Sequence, residues 1–193
     1  MYEALKKYIN KYGLAEISED DFELIKNKFT PKHYRKNQYL LQEGEVCKNA
    51  IFIVKGALQK YSIDQKGIEH IVDLCTENWW VGDRESFTML TPSKYNIEAV
   101  EDCDVLLLTK ANFQELVNTA PIFVSVLRTM DYNYQIASQE RINSTISFSA
   151  EERYLNLLAT NPALIQRFPQ NMIASFLGVS PETISRIRNK THH

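Results

Sequence analysis

Residues Gln170–Lys190 read QNMIASFLGVSPETISRIRNK, and this stretch decides how the chain is built. Ile173 and Phe176 give a short helix one apolar side, and Ala174 is small where two helices would cross closely. Gly178, four residues later, permits a sharp turn, with Val179 plugging the gap. Ser180 is placed to cap a second helix, Pro181 fits its first position, and Glu182 puts an acid in the first turn, where the helix dipole favours one. Ile184 and Ile187 then point back at the first helix. The opposite face carries Glu182, Ser185, Arg186, Asn189 and Lys190 at i, i+3, i+4, i+7 and i+8. Such a polar stripe, on a helix braced by its neighbour, is the layout that enters a DNA major groove and reads base edges. Arg186 can donate two hydrogen bonds to a guanine, and Glu182 can accept from a cytosine amino group. Gln170, Asn171, Thr183, Arg188 and Lys190 suit phosphates, and Ser180 completes the candidate interface. A plain helical hairpin with a solvated face shows the same polarity. The small residue, glycine turn, cap and paired isoleucines in register favour the groove-reading form.

Upstream, Ser149 and Glu152 form an S-x-x-E capping box that starts a new helix, AEERYLNLLAT, which Asn161-Pro162 ends. A cap inside an otherwise helical run marks a break, so the boundary between two units, 1–148 and 149–193, falls at Ser147–Ser149. Before it, Pro121 can open a helix running to Ser147, roughly 40 Å long at ~1.5 Å per residue. Phe123, Leu127, Met130, Tyr134 and Ala137 alternate by four and three along it, and Ile142 and Ile146 continue an apolar face. A small sheet domain cannot cover that whole length, so the helix is expected to pair with its own copy in a homodimer.

The first half has a different rhythm. Five of the six glycines precede residue 83, whereas residues 122–161 hold neither Gly nor Pro. QYLLQEGE, AIFIVKG, ALQKYSI, IEHIVDL, YNIEAVE and DVLLLTK are short, rich in β-branched and aromatic residues, and separated by turn signals. Asp64-Gln65-Lys66-Gly67 reads as a hairpin loop with Gly in the left-handed position. Ser18, three residues before Asp21, caps a short amphipathic helix over FELIKNKF. The fold class is therefore α+β: an antiparallel β-barrel or jelly roll, a long helix of about 121–147, and an all-α helix-turn-helix unit.

Lys+Arg 22 against Asp+Glu 24 leaves a net charge of -2, which excludes a histone-like basic binder but not a local binding patch. Residues 150–193 carry +2 and the remainder -4. No apolar run approaches the ~18 residues of a membrane span, and the charged N-terminus lacks a secretory core, so a cytoplasmic protein is expected. Cys47, Cys75 and Cys103 lack CxxC spacing and read as buried reduced thiols. No catalytic triad, P-loop or dinucleotide motif is present, so no catalysis is expected. A metal enzyme on the same kind of barrel would need converging histidines. Only His33 and His70 lie among the strands, and His192 and His193 sit on the tail.

The stretches YRKNQYLLQEGE, IFIVKGALQKY, WWVGDRESF and VSPETISRIR resemble the Crp/Fnr family of bacterial transcription regulators, from about Tyr34 to Lys190. That resemblance implies a cyclic-nucleotide-type domain, a dimer helix and a helix-turn-helix that binds palindromic double-stranded DNA, with RNA polymerase as a further partner. It places Glu182 and Arg186 at base-reading positions, while Pro181 replaces an arginine, so the preferred half-site should differ. It also implies an effector cassette of Gly-Glu, a short helix and Arg-Ser. Here Gly82-Asp83 stands at Gly-Glu, the helix would span Glu85–Met89, and Ser93-Lys94 stands at Arg-Ser. Lys94 lacks the bidentate fork of an arginine, and Glu85 would repel a phosphate. The candidate pocket is Gly82, Asp83, Arg84, Ser86, Ser93 and Lys94, with Ser138 on the long helix matching a base-contacting position. The effector implied is a small anionic or nucleotide-like molecule, not cyclic AMP held in the usual way. A dimer that binds an effector, or serves as a scaffold, without touching DNA is the alternative. Trp79-Trp80 beside the cassette reads as core, interface or pocket lining. The family's β-hairpin wing has no counterpart after Lys190, so wing contacts to phosphates are expected to be missing.

Overall fold

The computed structural model describes residues 1–191. Two helices lead, α1 (Tyr2–Tyr12) and α2 (Glu19–Lys26), followed by strands β1 (Phe29–Tyr34), β2 (Tyr39–Leu41), β3 (Asn49–Lys55), β4 (Leu58–Ile63), β5 (Glu69–Cys75) and β6 (Trp80–Val81). A short helix α3 (Arg84–Met89) precedes β7 (Asn96–Ala99) and β8 (Cys103–Thr109). Then come α4 (Lys110–Thr119), α5 (Pro121–Ser147), α6 (Ala150–Thr160), α7 (Pro162–Arg167), α8 (Gln170–Leu177) and α9 (Pro181–Thr191). His192, His193 and the end of the 149–193 unit lie outside the described residues.

The strands form two four-stranded antiparallel sheets, ordered β1-β8-β3-β6 and β2-β7-β4-β5. The expected barrel or jelly roll is thus a jelly-roll-like sandwich rather than a closed barrel. Its interior holds Ile51, Ile53, Leu58, Ile97, Ala99, Cys103 and Val105. Strand β8 is buried on both faces, with Leu106 and Leu108 packing outward beneath α1, α2, α4 and α5, and so it reads as an unbroken apolar run. Gly56 makes the β3–β4 turn possible. Its φ is +106°, and a Cβ there would sit 2.7 Å from the Asp102 carbonyl and against the Cys103 thiol. The Asp64–Gly67 hairpin forms as expected, Gly67 having φ +80° and Asp64 accepting from the Lys66 and Ile68 amides. All three cysteines are free and buried, and burial pushes their thiols up, that of Cys103 to about 11. Among the described residues, no helix is long and apolar enough to cross a membrane.

Helix α1 was not expected from the sequence. Its Leu5, Tyr8 and Ile9 are buried against the outer sheet face, where Tyr8, Phe29, Phe52 and Trp80 make an aromatic cluster with Phe52 and Trp80 centroids 5.3 Å apart. Trp80 is therefore half-buried against the core, and Trp79 is exposed. The long helix runs Pro121–Ser147 as expected, but its first half is used within the protomer. Phe123 is 1% exposed, and Leu127 and Met130 pack into the same cluster beside α1. The apolar residues left open on α5 are Tyr132, Tyr134, Ile136, Ile142 and Ile146. A helix with one half roofed and the other bare cannot present the full Phe123–Ala137 seam to a partner.

Phe148 is extended, and Ser149 caps α6 through a reciprocal box with Glu152, whose carboxylate accepts the Ser149 N–H at 2.7 Å. The helices beyond it dock on the sandwich. Leu157, Leu164, Phe168 and Ile173 pack against Ala57, Tyr61, Ile71 and Leu74 on the outer face of the second sheet. The Ser175 hydroxyl accepts from the Ile71 amide at 3.0 Å and donates to the Glu69 carbonyl, capping the open edge of β5. Arg167 forks onto Glu77 at 2.5 and 3.0 Å and also contacts Glu101. Burial pushes the Glu77 carboxyl up, but the Arg167 guanidinium and the Gly56 N–H outweigh it and hold it below the usual carboxylate range. A depressed folded-state pKa adds stability at neutral pH that is lost on acidification. Arg167→Met should cost about 1–2 kcal/mol in denaturant unfolding. Its melting temperature should also fall less steeply than that of the parent from about pH 6 to about pH 4. Parallel slopes in the two proteins would show that the fork does not contribute.

Candidate nucleic-acid interface and ligand cassette

Helices α8 and α9 meet around their own small core, in which Ala174 is fully buried and Ile184, Ile187 and Tyr154 close over it. Gly178 ends α8 with φ +67°, and Ser180 accepts from the Thr183 N–H at 3.3 Å. Pro181 is the first residue of α9. With its apolar side so fixed, α9 holds Glu182, Ser185, Arg186, Asn189 and Lys190 exposed along one side. A hydrogen bond with Ser180 leads the causes that hold the Glu182 carboxyl below its usual range, so it stays an acceptor at neutral pH. Arg186 lies back over its own helix, its Nε 3.4 Å from the Glu182 carbonyl and Nη2 3.5 Å from Thr183 Oγ1, long contacts that a better acceptor would displace. Gln170 bridges the two helices, donating to the Pro181 carbonyl at 2.9 Å and accepting from Arg188 at 3.3 Å. Asn171 is exposed at the start of α8, and Lys190 stands 3.9 Å from Glu151.

The cassette is arranged differently. Asp83 is 4% exposed and caps α3, its Oδ1 accepting from the Glu85 and Ser86 amides at 3.0 and 3.2 Å. Its Oδ2 accepts from the buried Ser93 hydroxyl at 2.9 Å. Ser86 is buried and accepts from the Cys47 amide at 2.8 Å. Gly82, Asp83, Ser86 and Ser93 are thus brought together, whereas Arg84 and Lys94 are not. Arg84 is exposed, pairs with Asp131 and lies 5.1 Å over the Tyr134 ring on α5. Lys94 is exposed and pairs with Glu85 at 3.0 Å. Ser138 is half-buried on α5.

The sequence reading missed a cation inside. Lys60 is 8% exposed, donates to the Gly82 carbonyl at 3.0 Å and lies 4.4 Å from the Tyr95 ring centre. On the neighbouring strand it faces Asp73, whose carboxyl burial pushes up against the pull of Lys60 and Arg141. The signal was present, since Lys60 stands two residues from Leu58 and so shares its inward face. Asp83→Ala should cost about 1–2 kcal/mol in urea unfolding by uncapping α3 and stranding Ser93. Lys94→Ala should leave the urea midpoint unchanged because its pair is exposed.

Residues 31–120 match the family model of the cyclic nucleotide-binding domain. The cAMP-activated global transcriptional regulator CRP of Salmonella typhimurium is 23% identical over 164 residues, covering 80% of this chain and 78% of that protein. Among solved structures, the c-di-GMP responsive global regulator CLP of Xanthomonas campestris superposes with a TM-score of 0.72 at 14% identity, covering 91% of this chain and 92% of that one. A structure described as a Crp/Fnr-family transcriptional regulator, from Eubacterium rectale, gives a TM-score of 0.66 at 17% identity, covering 91% and 84%. In class, the chain is a cyclic nucleotide-binding-type sandwich followed by a long helix and a helical C-terminal part. The Crp/Fnr resemblance read from the sequence is borne out by these matches.

Proposed function

We propose that the chain is a homodimeric, sequence-specific DNA-binding transcription regulator, made of a sensing unit over 1–148 and a DNA-binding unit over 149–193. The observation that carries this reading is α9, a helix whose apolar side is locked by α8 and whose free side is a run of hydrogen-bonding groups. Arg186 and Glu182 read base edges in the major groove, helped by Ser185 and Asn189. Gln170, Asn171, Ser180, Thr183, Arg188 and Lys190 meet the phosphates beside them. The target is a palindromic duplex, because a two-fold dimer offers two such helices. The exposed stripe Tyr132, Ile136, Gln139, Ile142 and Ile146, spaced by threes and fours, is the surface on which two copies of α5 close. RNA polymerase is the further partner that the resemblance implies, and a cytoplasmic setting suits free thiols.

The sensing unit takes a small anionic or nucleotide-like effector, but not cyclic AMP in the manner of CRP. Asp83 already fills the α3 amides, and neither cassette cation faces inward. In binding selection from random duplex followed by gel shift, the parent should retain a palindrome. Arg186→Ala should lose about 10- to 100-fold for it while keeping salt-sensitive, sequence-blind binding. If both proteins bind every duplex alike, the groove-reading assignment fails. Ile142→Asp combined with Ile146→Asp should give a monomer by analytical ultracentrifugation with secondary structure retained. An unchanged dimer would move the interface elsewhere.

A further inference from the structure

The sandwich is not filled at its β1–β2 end. Along the inward face of β8, Cys103 and Val105 are fully buried, yet Leu107, two residues further on, is only half-buried. Leu107 pairs in register with Ile51, and between these two and Leu40 and Leu41 of the facing sheet lies a cavity of about 410 Å³, open on one side to solvent. That is within the size range of small-molecule sites. The loop over residues 45–49 roofs it, and the roof is pinned. The Glu45 carbonyl accepts from the Ser93 amide at 2.8 Å, Val46 bridges to Pro92, and the Cys47 amide donates to Ser86. A roof tied at three successive residues cannot settle onto the walls, so the space persists.

We propose that this cavity is a binding site for an apolar monocarboxylate, an aliphatic or aromatic acid whose tail lies between the sheets. The walls are largely aliphatic, with the Tyr34 ring beside them, and match a hydrocarbon body. Lys48 lines the cavity, is exposed, and makes no ion pair among the described residues. Glu45, the acid on the same rim, keeps its charge with Oε2 accepting from the Gln42 amide at 3.1 Å, so the head group is met by Lys48 alone. An ammonium at the mouth of an apolar cavity selects a ligand with an anionic head over a neutral one of the same length. Asp83, Ser93 and Lys60 do not line the cavity, and its roof meets the cassette through the Cys47–Ser86 and Glu45–Ser93 hydrogen bonds.

The test uses the full chain without DNA, so it is independent of the DNA-binding assignment. Thermal unfolding is followed with sodium octanoate and sodium decanoate below their micellar concentrations, with acetate and decanol as controls. The melting temperature should rise with tail length, acetate should do nothing, and decanol should act about tenfold more weakly than decanoate. Leu107→Trp, which fills the cavity, should abolish the rise, and Val46→Trp on the roof serves the same purpose if the first variant does not fold. Lys48→Met should weaken decanoate about tenfold and leave decanol unchanged. The proposal is overturned by no rise with decanoate, by an equal rise in the filled variant, or by an equal response of Lys48→Met.

Discussion

Strand β5 would be a free edge of its sheet if α8 did not lie along it. The Ser175 hydroxyl takes up the backbone groups of Glu69 and Ile71, apolar side chains from α6 to α8 cover the sheet face behind, and the Arg167 fork ties the arrangement to two acids of the sandwich loops. Glu77 accepts Arg167 and the Gly56 amide together, so one carboxylate joins the tight β3–β4 turn to the helical part. Arg141 adds a second tie from the long helix, lying 4.3 Å from the Phe176 ring centre and 3.8 Å from Asp73. The direction in which α9 points thus follows from α8, and that of α8 from β5. The apolar contact supplies most of the stabilisation, and the half-buried ion pairs fix the orientation.

What was legible in the sequence was local. The Ser149 box, the Gly178 turn, the Ser180 cap and the Gly67 hairpin each depend on a few consecutive residues whose chemistry allows one main solution. The class of fold was legible for the same reason, from the change of period near residue 120. Which surface covers which is not encoded locally. Phe123, Leu127 and Met130 look like a seam for a second chain until α1 is seen to lie over them. Helix α1 itself was overlooked because its apolar positions sit among many charges, although Leu5, Tyr8 and Ile9 are spaced for one face. Helix α7 was hidden by Asn161-Pro162, which ends one helix and also starts the next.

The candidate sites divide in the same way. The exposed polar face on α9 was legible because a single helix carries it. The cassette draws on several strands and a loop, and sequence order could not say which cations turn inward. Arg84 follows Asp83 directly and Lys94 comes eleven residues later, but both are held by acids at the surface. Lys60, over twenty residues earlier, is the cation that reaches Gly82. Charge near a cassette in sequence is therefore a poor guide to charge inside it, because neighbouring residues around a short helix point in different directions.

The seat of Ser175 on β5 has a consequence for solubility. An unpaired strand next to bare Tyr61, Ile71 and Leu74 is a ready template for association through main-chain ladders. Intact, the helical part blocks that route with one hydroxyl and a sheath of side chains. Cut away from it, the sandwich would expose that adhesive border and tend to stack with its own kind. The helices that carry the polar stripe of α9 thereby also keep the sandwich from clumping.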